Sequence, residues 1–237
     1  MITIGIVTTN LGRLPILEIF CEGIKRLRRE TGLTTIPVVC AGDVGGKSLC
    51  EEYNITHIVT PNRPLTNKFN TACEALRGKV DYVMVMGSDD LIATKDFLRV
   101  YNEAESNGTD LIGFSDVYMF GMDDEHSGDL IHFPHTTVLG VGRTVKASVL
   151  DNLGWRPWNI DRDRAIDTVM LDACRPYVVT RKVFDGGFIV DLKTSWNLNP
   201  IKFWHKKLGA MPSNQLLWDN IGLQETELIN NFISRQK

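Results

Sequence analysis

Over the first 115 residues of this 237-residue chain, short apolar runs alternate with stretches of helical periodicity. Residues 2–7, 36–41, 56–60, 82–86 and 110–114 read as strands. Between them, residues 14–30 place Leu17, Phe20, Cys21, Ile24 and Leu27 on one helical face, and residues 66–77 do the same with Phe69, Ala72, Cys73 and Leu76. A further helix starts at Thr94, turns Phe97, Val100, Tyr101 and Ala104 inward and stops at Gly108. Strands separated by helices join through crossovers, which predicts a mostly parallel α/β sheet with helices on both faces. Ligands of such open sheets bind beyond the carboxyl ends of the strands. The residues found there are polar or charged: Thr8, Thr9 and Asn10, then Asp43, Arg63, and the pair Asp89 and Asp90.

After residue 115 the pattern changes. An acidic turn at 123–129 between two strand-like pieces reads as a hairpin with a solvated tip, including His126, His132 and His135. A short helix ends at Gly154, a helix follows at 165–175, and residues 188–193 form another strand. The last 30 or so residues read as helical, packed across the domain or against a second copy. Hydrophobic residues make up 43% and charged residues 23% of the chain, the proportions of an ordinary globular protein. A net charge of −3 supplies no overall footprint for nucleic acid. The densest basic run, Lys25, Arg26, Arg28 and Arg29, falls on a helix and reads as a solvated face. Five scattered cysteines without metal-ligand spacing read as reduced thiols. With no basic leader at its start and no apolar run near the roughly 18 residues of a membrane span, the chain is expected to be cytoplasmic.

The run VMVMGSDDL (83–91) places two adjacent carboxylates just past the most apolar strand. Such a pair repels itself unless a positive charge sits between. A divalent cation meets that need, and carboxylate oxygens suit Mg2+ or Mn2+, which in turn hold a diphosphate. The competing reading is a turn and helix cap.

In order and spacing these motifs resemble the glycosyltransferases of the GT-A fold, in particular the family-2-like group, over roughly residues 2–205. The resemblance implies a Rossmann-like GT-A domain at 1–205, with a nucleotide-sugar half at 1–115, an acceptor half at 116–205, and a helical extension at 206–237. Ser88-Asp89-Asp90 stands where the family has its DXD motif, with serine in the first position; this implies metal at Asp90 and ribose or sugar near Asp89. GIVTTNLGR resembles the nucleotide loop and implies donor contacts from Thr8, Asn10 and Arg13, while Asp43 stands where an acid reads base or ribose. PNRPLTNKFNTACEAL resembles the segment that sends a cation and an Asn toward the donor, here Lys68 and Asn70. VGRTVKASVLDNLGWRP (141–157) resembles the acceptor-side segment, with Arg143, Trp155 and Arg156. Asp167 stands at the place of the family's catalytic base, with Ile166 where glutamate is usual and Asp161 and Asp163 as competitors. The family's late metal-ligating histidine corresponds to His205, with Asp191 as the alternative.

In an inverting transfer a carboxylate takes the acceptor proton while metal and basic groups stabilise the leaving nucleoside diphosphate. Lys68, Arg63 and Lys193 are the candidates for that second task. The resemblance implies a UDP-sugar donor, the commonest in such enzymes; a single, non-processive transfer is expected because the chain has only QLLW where processive synthases carry Gln-x-x-Arg-Trp, and no apolar run of membrane-span length. The acceptor class implied is a glycan or other hydroxyl. Segments at 141–158 also resemble small phage glycosyltransferases, some of which modify hydroxymethylated DNA bases; Arg143, Lys146, Arg156, Arg162 and Arg164 would then meet phosphates. The alternatives are a nucleotidyltransferase, against which the glycine-poor TTNLGR loop argues, and a noncatalytic carbohydrate-binding subunit of the same fold.

Overall fold

The computed structural model describes residues 1–197, 201, 202, 204 and 212–236. Two sheets share one long helix. The first sheet is built from β1 (Ile4–Asn10), β2 (Thr35–Ala41), β3 (Thr56–Val59), β4 (Tyr82–Val85), β6 (Leu111–Phe114), β9 (Arg143–Lys146) and β10 (Arg181–Phe184). Its order is β10-β6-β9-β4-β1-β2-β3. Every pairing is parallel except those of β9, which runs antiparallel between β4 and β6. The second sheet has the order β5-β11-β7-β8, from β5 (Asp90–Ile92), β7 (Asp116–Gly121), β8 (Leu130–Pro134) and β11 (Ile189–Lys193). β7 and β8 form the expected hairpin, paired antiparallel from Asp116↔Pro134 to Phe120↔Leu130.

The helices follow from sequence periodicity and stop signals. α1 (Leu14–Thr31) carries Pro15 in its first turn and ends at Gly32, whose left-handed φ of 67° closes the helix through an N–H bond to the Arg28 carbonyl. α2 (Lys47–Glu52) is a short helix that the sequence pattern does not announce. α3 (Leu65–Leu76) buries Phe69, Ala72, Cys73 and Leu76 as the spacing predicts. It lies close over β1, where a Cβ on Gly5 would come within 2.5 Å of Leu76. α4 (Thr94–Asn107) buries Phe97, Val100, Tyr101 and Ala104 and ends at Gly108. α5 (Ala147–Asn152) and α6 (Ile166–Cys174) complete the first layer. All five cysteines are buried free thiols.

α1 has two apolar faces rather than one. Leu17, Phe20, Cys21, Ile24 and Leu27 pack in the core of the first sheet, while Ile16 and Ile19 join Leu91, Phe120, Val190 and Leu192 of the second. At Gly23 a Cβ would lie 2.7 Å from the Leu91 side chain, so the bare glycine leaves room for Leu91 of β5 to pack directly on α1. The basic run on α1 is divided, which corrects its reading as a solvated face. Lys25 and Arg29 are exposed, but Arg28 ties the chain to Thr35 and Tyr53. Arg26 is 2% exposed and donates to Glu225 at 2.5 Å, Thr94 at 2.5 Å and the Ile92 carbonyl at 2.8 Å.

Glu225 belongs to the C-terminal helix Leu223–Gln236, which lies against α1 and buries Ile229 and Phe232 in the second-sheet core. Those apolar side chains are therefore engaged within the chain and not presented to a second copy. Among the described residues no helix is long and apolar enough to cross a membrane. Removing one partner of a buried ion pair strands the other charge, so Glu225→Ala is expected to cost about 3–5 kcal/mol. Urea denaturation measures the loss, and hydrogen exchange should show it first in the helix Leu223–Gln236.

Candidate active site

Three carboxylates meet at the carboxyl edge of β4. Asp89 and Asp90 follow Gly87, where any Cβ would overlap the Asp89 carboxylate and crowd that of Asp90. Gly87 donates its N–H to Asp90. Asp90 opens β5 and stands directly opposite Asp191 in the antiparallel register with β11. Each of Asp89, Asp90 and Asp191 offers an oxygen within 4.8 Å of the others. One Asp191 oxygen, Oδ1, is buried without a partner.

Two cations and an amide offset this charge. Arg13 Nη1 lies 2.9 Å from Asp89 Oδ2, and Arg13 Nη2 donates to Ser88 Oγ at 3.1 Å. Asn197 Nδ2 donates to the same Asp89 oxygen at 2.6 Å. Lys193 pairs with Asp191. The three acids respond differently. Burial pushes Asp89 up, but Arg13 and Lys193 outweigh it and hold that carboxyl below its ordinary value. Burial, with Asp191 and Asp89 adding repulsion, drives Asp90 well above the carboxylate range. Asp191 is pushed up to about 6, chiefly by burial, with Lys193 opposing the rise. Burial lowers the Lys193 ammonium, yet Asp191 and Asp89 raise it overall. An oxygen-only donor set, an unpartnered buried oxygen and unrelieved repulsion at Asp90 together fit a hard divalent cation such as Mg2+ or Mn2+. His205 falls outside the described residues; Asp191 supplies the third oxygen here.

Beside the cluster lies a second group of the residues singled out in the sequence. Asn10 is 3% exposed, and neither its amide oxygen nor its nitrogen has a partner; the Thr8 hydroxyl is likewise buried and unpartnered. Lys68 is buried and donates to the Asn10 carbonyl at 3.1 Å and to Asn62 at 2.8 Å. Burial lowers the Lys68 ammonium, with Asp43 and the Cys40 thiol opposing. Asp43 accepts from the Gly12 and Gly45 N–H groups at 3.1 and 2.8 Å, tying the loop after β2 to the loop after β1. Arg13, two residues past Leu11, links this group to the carboxylates. Arg63 stands apart, with a side chain 78% exposed and 3.5 Å from Asp163.

Several residues assigned site roles from the sequence have structural ones. Asn70 clasps the Trp158 backbone, donating to its carbonyl at 2.8 Å and accepting from its N–H at 3.1 Å; both ends of the amide are engaged away from a donor. Trp155 is 1% exposed, a core side chain whose indole N–H donates to Asp151 at 2.7 Å, so its ring offers no face to an acceptor. Arg143 is buried and donates to the Asp167 and Val138 carbonyls. Arg156 is held at the surface by Glu74 at 2.7 Å and Asn67 at 3.0 Å. Asp163 accepts from the Leu65 N–H at 2.8 Å, holding the start of α3. Asp167 is exposed in the first turn of α6, and its carboxylate fills the space a side chain at Gly140 would need. Among the described residues that carboxylate has no hydrogen bond. Asn197 was not legible as a site residue; the only hint was a Thr-Ser-Trp-Asn turn directly after the strand that carries Asp191.

A family model described as glycosyl transferase family 2 matches residues 45–186. Among solved structures, the chain is similar to the mannosyltransferase PcManGT from Pyrobaculum calidifontis in complex with GDP-Man and Mn2+, at 12% identity and a TM-score of 0.58; the match covers 83% of this chain and 58% of that one. It is similar to S. aureus TarS 1-349 in complex with UDP-GlcNAc at 15% identity and a TM-score of 0.57, covering 100% of this chain and 71% of that one. It is also similar to the 4-diphosphocytidyl-2C-methyl-D-erythritol synthase from Anaerococcus prevotii, at 12% identity and a TM-score of 0.51, covering 78% and 87% of the two chains. The chain thus spans less than two thirds of the mannosyltransferase. No curated protein sequence matches it.

The state of Asp90 has a measurable consequence. With its carboxyl raised in the folded chain, the folded state holds more protons than the unfolded one above the ordinary value of 3.8, and stability falls as pH rises through that window. Asp90→Asn keeps an acceptor for the Gly87 N–H and removes the charge. The metal-free variant is expected to match the parent at pH 4 and below and to exceed it in Tm at neutral pH, the gap widening as pH rises. Thermal melts across pH, in chelator, check the sign.

Proposed function

The chain belongs to glycosyl transferase family 2, and on that basis we propose that it transfers a sugar from a nucleotide-diphosphate donor, UDP-sugar by preference, to an acceptor hydroxyl with inversion and one transfer per encounter. The observation that carries this reading is the convergence of Asp89, Asp90 and Asp191 on one point beside Arg13 and Lys193. An arrangement with acids to hold a cation and cations to meet a diphosphate, at the carboxyl edge of an α/β sheet, is what a nucleotide-diphosphate donor requires.

Asp90 and Asp191 would hold Mn2+ or Mg2+, with Asp89 turned toward the ribose or sugar. A divalent cation at that point supplies positive charge to the leaving diphosphate. Arg13 and Lys193, each held by one of these carboxylates, add further positive charge beside it. The nucleoside lies along Thr8, Asn10, Asp43 and Lys68, where the unpartnered Asn10 amide and Thr8 hydroxyl have hydrogen bonds still to make. Asp167, exposed and without a hydrogen bond of its own, takes the proton from the attacking hydroxyl. Of the five cations that a DNA acceptor would use, Arg143, Lys146 and Arg156 are bonded within the chain, which favours a glycan hydroxyl as acceptor.

Calorimetric titration with UDP, GDP and CDP, with and without Mn2+, tests the donor site. UDP is expected to bind with Mn2+, and binding should be lost in Asp90→Asn; a chain that binds none of the three under either condition overturns the reading. Once a donor sugar is identified by hydrolysis, Asp167→Asn is expected to lower kcat by about 10²–10⁴-fold while the donor Kd changes less than twofold. An unchanged kcat removes Asp167 as the base.

A further inference from the structure

Directly after the strand that carries Asp191, the turn 194–197 presents the side chain of Trp196 with 61% of its surface exposed. This turn is held on both sides. Asn197 Oδ1 accepts from the Thr194 N–H and hydroxyl, each at 2.8 Å, and the Asn197 N–H returns to the Thr194 carbonyl at 3.1 Å. Ser195 donates its N–H to both oxygens of Asp123, at 2.8 and 3.0 Å, and its hydroxyl to Oδ2 at 2.9 Å. Asp123 is itself buried. The amide that closes the turn also donates to Asp89, so the backbone that carries the indole is fixed relative to the carboxylate cluster.

An indole of this size in water loses apolar burial that an inward rotamer or a polar residue would not forfeit. Here the backbone is locked by hydrogen bonds on either side of the exposed ring, so its outward position is built into the turn. Its side of the cluster is informative. Asn10, Asp43 and Lys68 lie at the ends of β1, β2 and α3 on the first sheet, whereas the turn continues β11 and is anchored to Asp123, just past β7, on the second sheet. A donor whose nucleoside lies along the first group leaves free the second-sheet turn that carries Trp196 and is tied to the cluster through Asn197 and Asp89.

We propose that Trp196 is the stacking platform for the acceptor and that the acceptor presents the C–H face of a pyranose ring to it; this rests on the donor reading above. A pyranose has an apolar face and a hydroxyl rim. The flat indole meets the face, and the hydroxyl carried into the cleft is the one that reacts. Trp196 is thereby a specificity-determining residue for ring-shaped acceptors.

The test uses the whole chain and a panel of methyl pyranosides (gluco, galacto, manno and N-acetylglucosamine), followed by saturation-transfer NMR and tryptophan fluorescence, with Mn2+ and UDP and again without nucleotide. At least one pyranoside should bind the parent and receive saturation on one ring face. Trp196→Ala should weaken it about tenfold, Trp196→Phe less than threefold, and the calorimetric Kd for UDP should move less than twofold in both. The proposal is overturned if no pyranoside binds the parent, if Trp196→Ala leaves pyranoside binding unchanged, or if it weakens UDP instead. Failure of the parent to bind UDP strikes the donor reading alone, since the titrations without nucleotide still decide Trp196.

Discussion

Repulsion among Asp89, Asp90 and Asp191 is the constraint to which the surrounding architecture responds. Three acids within contact of one another, two of them raised by burial, cannot all be ionised at neutral pH without nearby positive charge. Arg13 and Lys193 supply part of it, one from the loop between β1 and α1 and the other from the second sheet. Arg13 is held at the start of α1, and Lys193 lies at the end of β11, so the cluster needs the two sheets docked in register. The second core, centred on Ile16, Ile19, Leu91 and Val190, performs that docking. Repulsion at the site is thus offset by apolar burial on either side of it. A natural protein that retains such a self-repelling group gives up stability for something else, and binding of a cation is the use that this donor set fits.

The C-terminal helix matters for the same reason. Arg26 on α1, Glu225 on that helix, Thr94 at the start of α4 and Ile92 at the end of β5 form one buried polar knot. It grips the far end of the same three-residue strand that Asp90 begins. Loosening the knot would free β5, and with it the pairing that sets Asp90 opposite Asp191. A segment that the sequence presents as an extension is therefore part of what holds the carboxylate cluster together.

Legibility in the sequence followed the range of the interactions. β1, β2 and β4 carry continuous apolar runs, and α3 and α4 carry clear helical spacing; each of these is set locally and was readable. β5, β9 and β10 have three or four residues each and mixed composition, and their strand character comes from partners far away in the chain. The second sheet was for this reason visible only as its hairpin and the strand at 188–193, without the β5 edge that joins it to the site. Arg26 read as one of four solvated cations because its partner is 199 residues distant. Within the site, Asp89 and Asp90 announced themselves by standing after an apolar strand. Asp191 stood only as the alternative to His205 until the β5–β11 register set it against Asp90, and Asn197 had no signal beyond its turn.

Which polar residues near the carboxyl edge can act on a ligand depends on whether their hydrogen bonds are already made. Asn70 and Asp163 look in sequence like Asn10 and Asp167, the same residue types on neighbouring segments. Asn70 has both amide ends bound to Trp158, and Asp163 holds the first turn of α3; displacing either would strand a buried backbone group at a cost of about 1–3 kcal/mol. Asn10, the Thr8 hydroxyl and Asp191 Oδ1 are buried with bonds unmade, so a ligand that supplies partners there gains interactions and relieves an existing penalty. The same distinction separates Trp155 from Trp196: one ring closes the core, the other stands in solvent on a pinned turn. Unmade hydrogen bonds at Asn10, Thr8 and Asp191 and an exposed ring at Trp196 are capacities that the fold leaves open, whereas Asn70, Asp163 and Trp155 have theirs already engaged in holding it together.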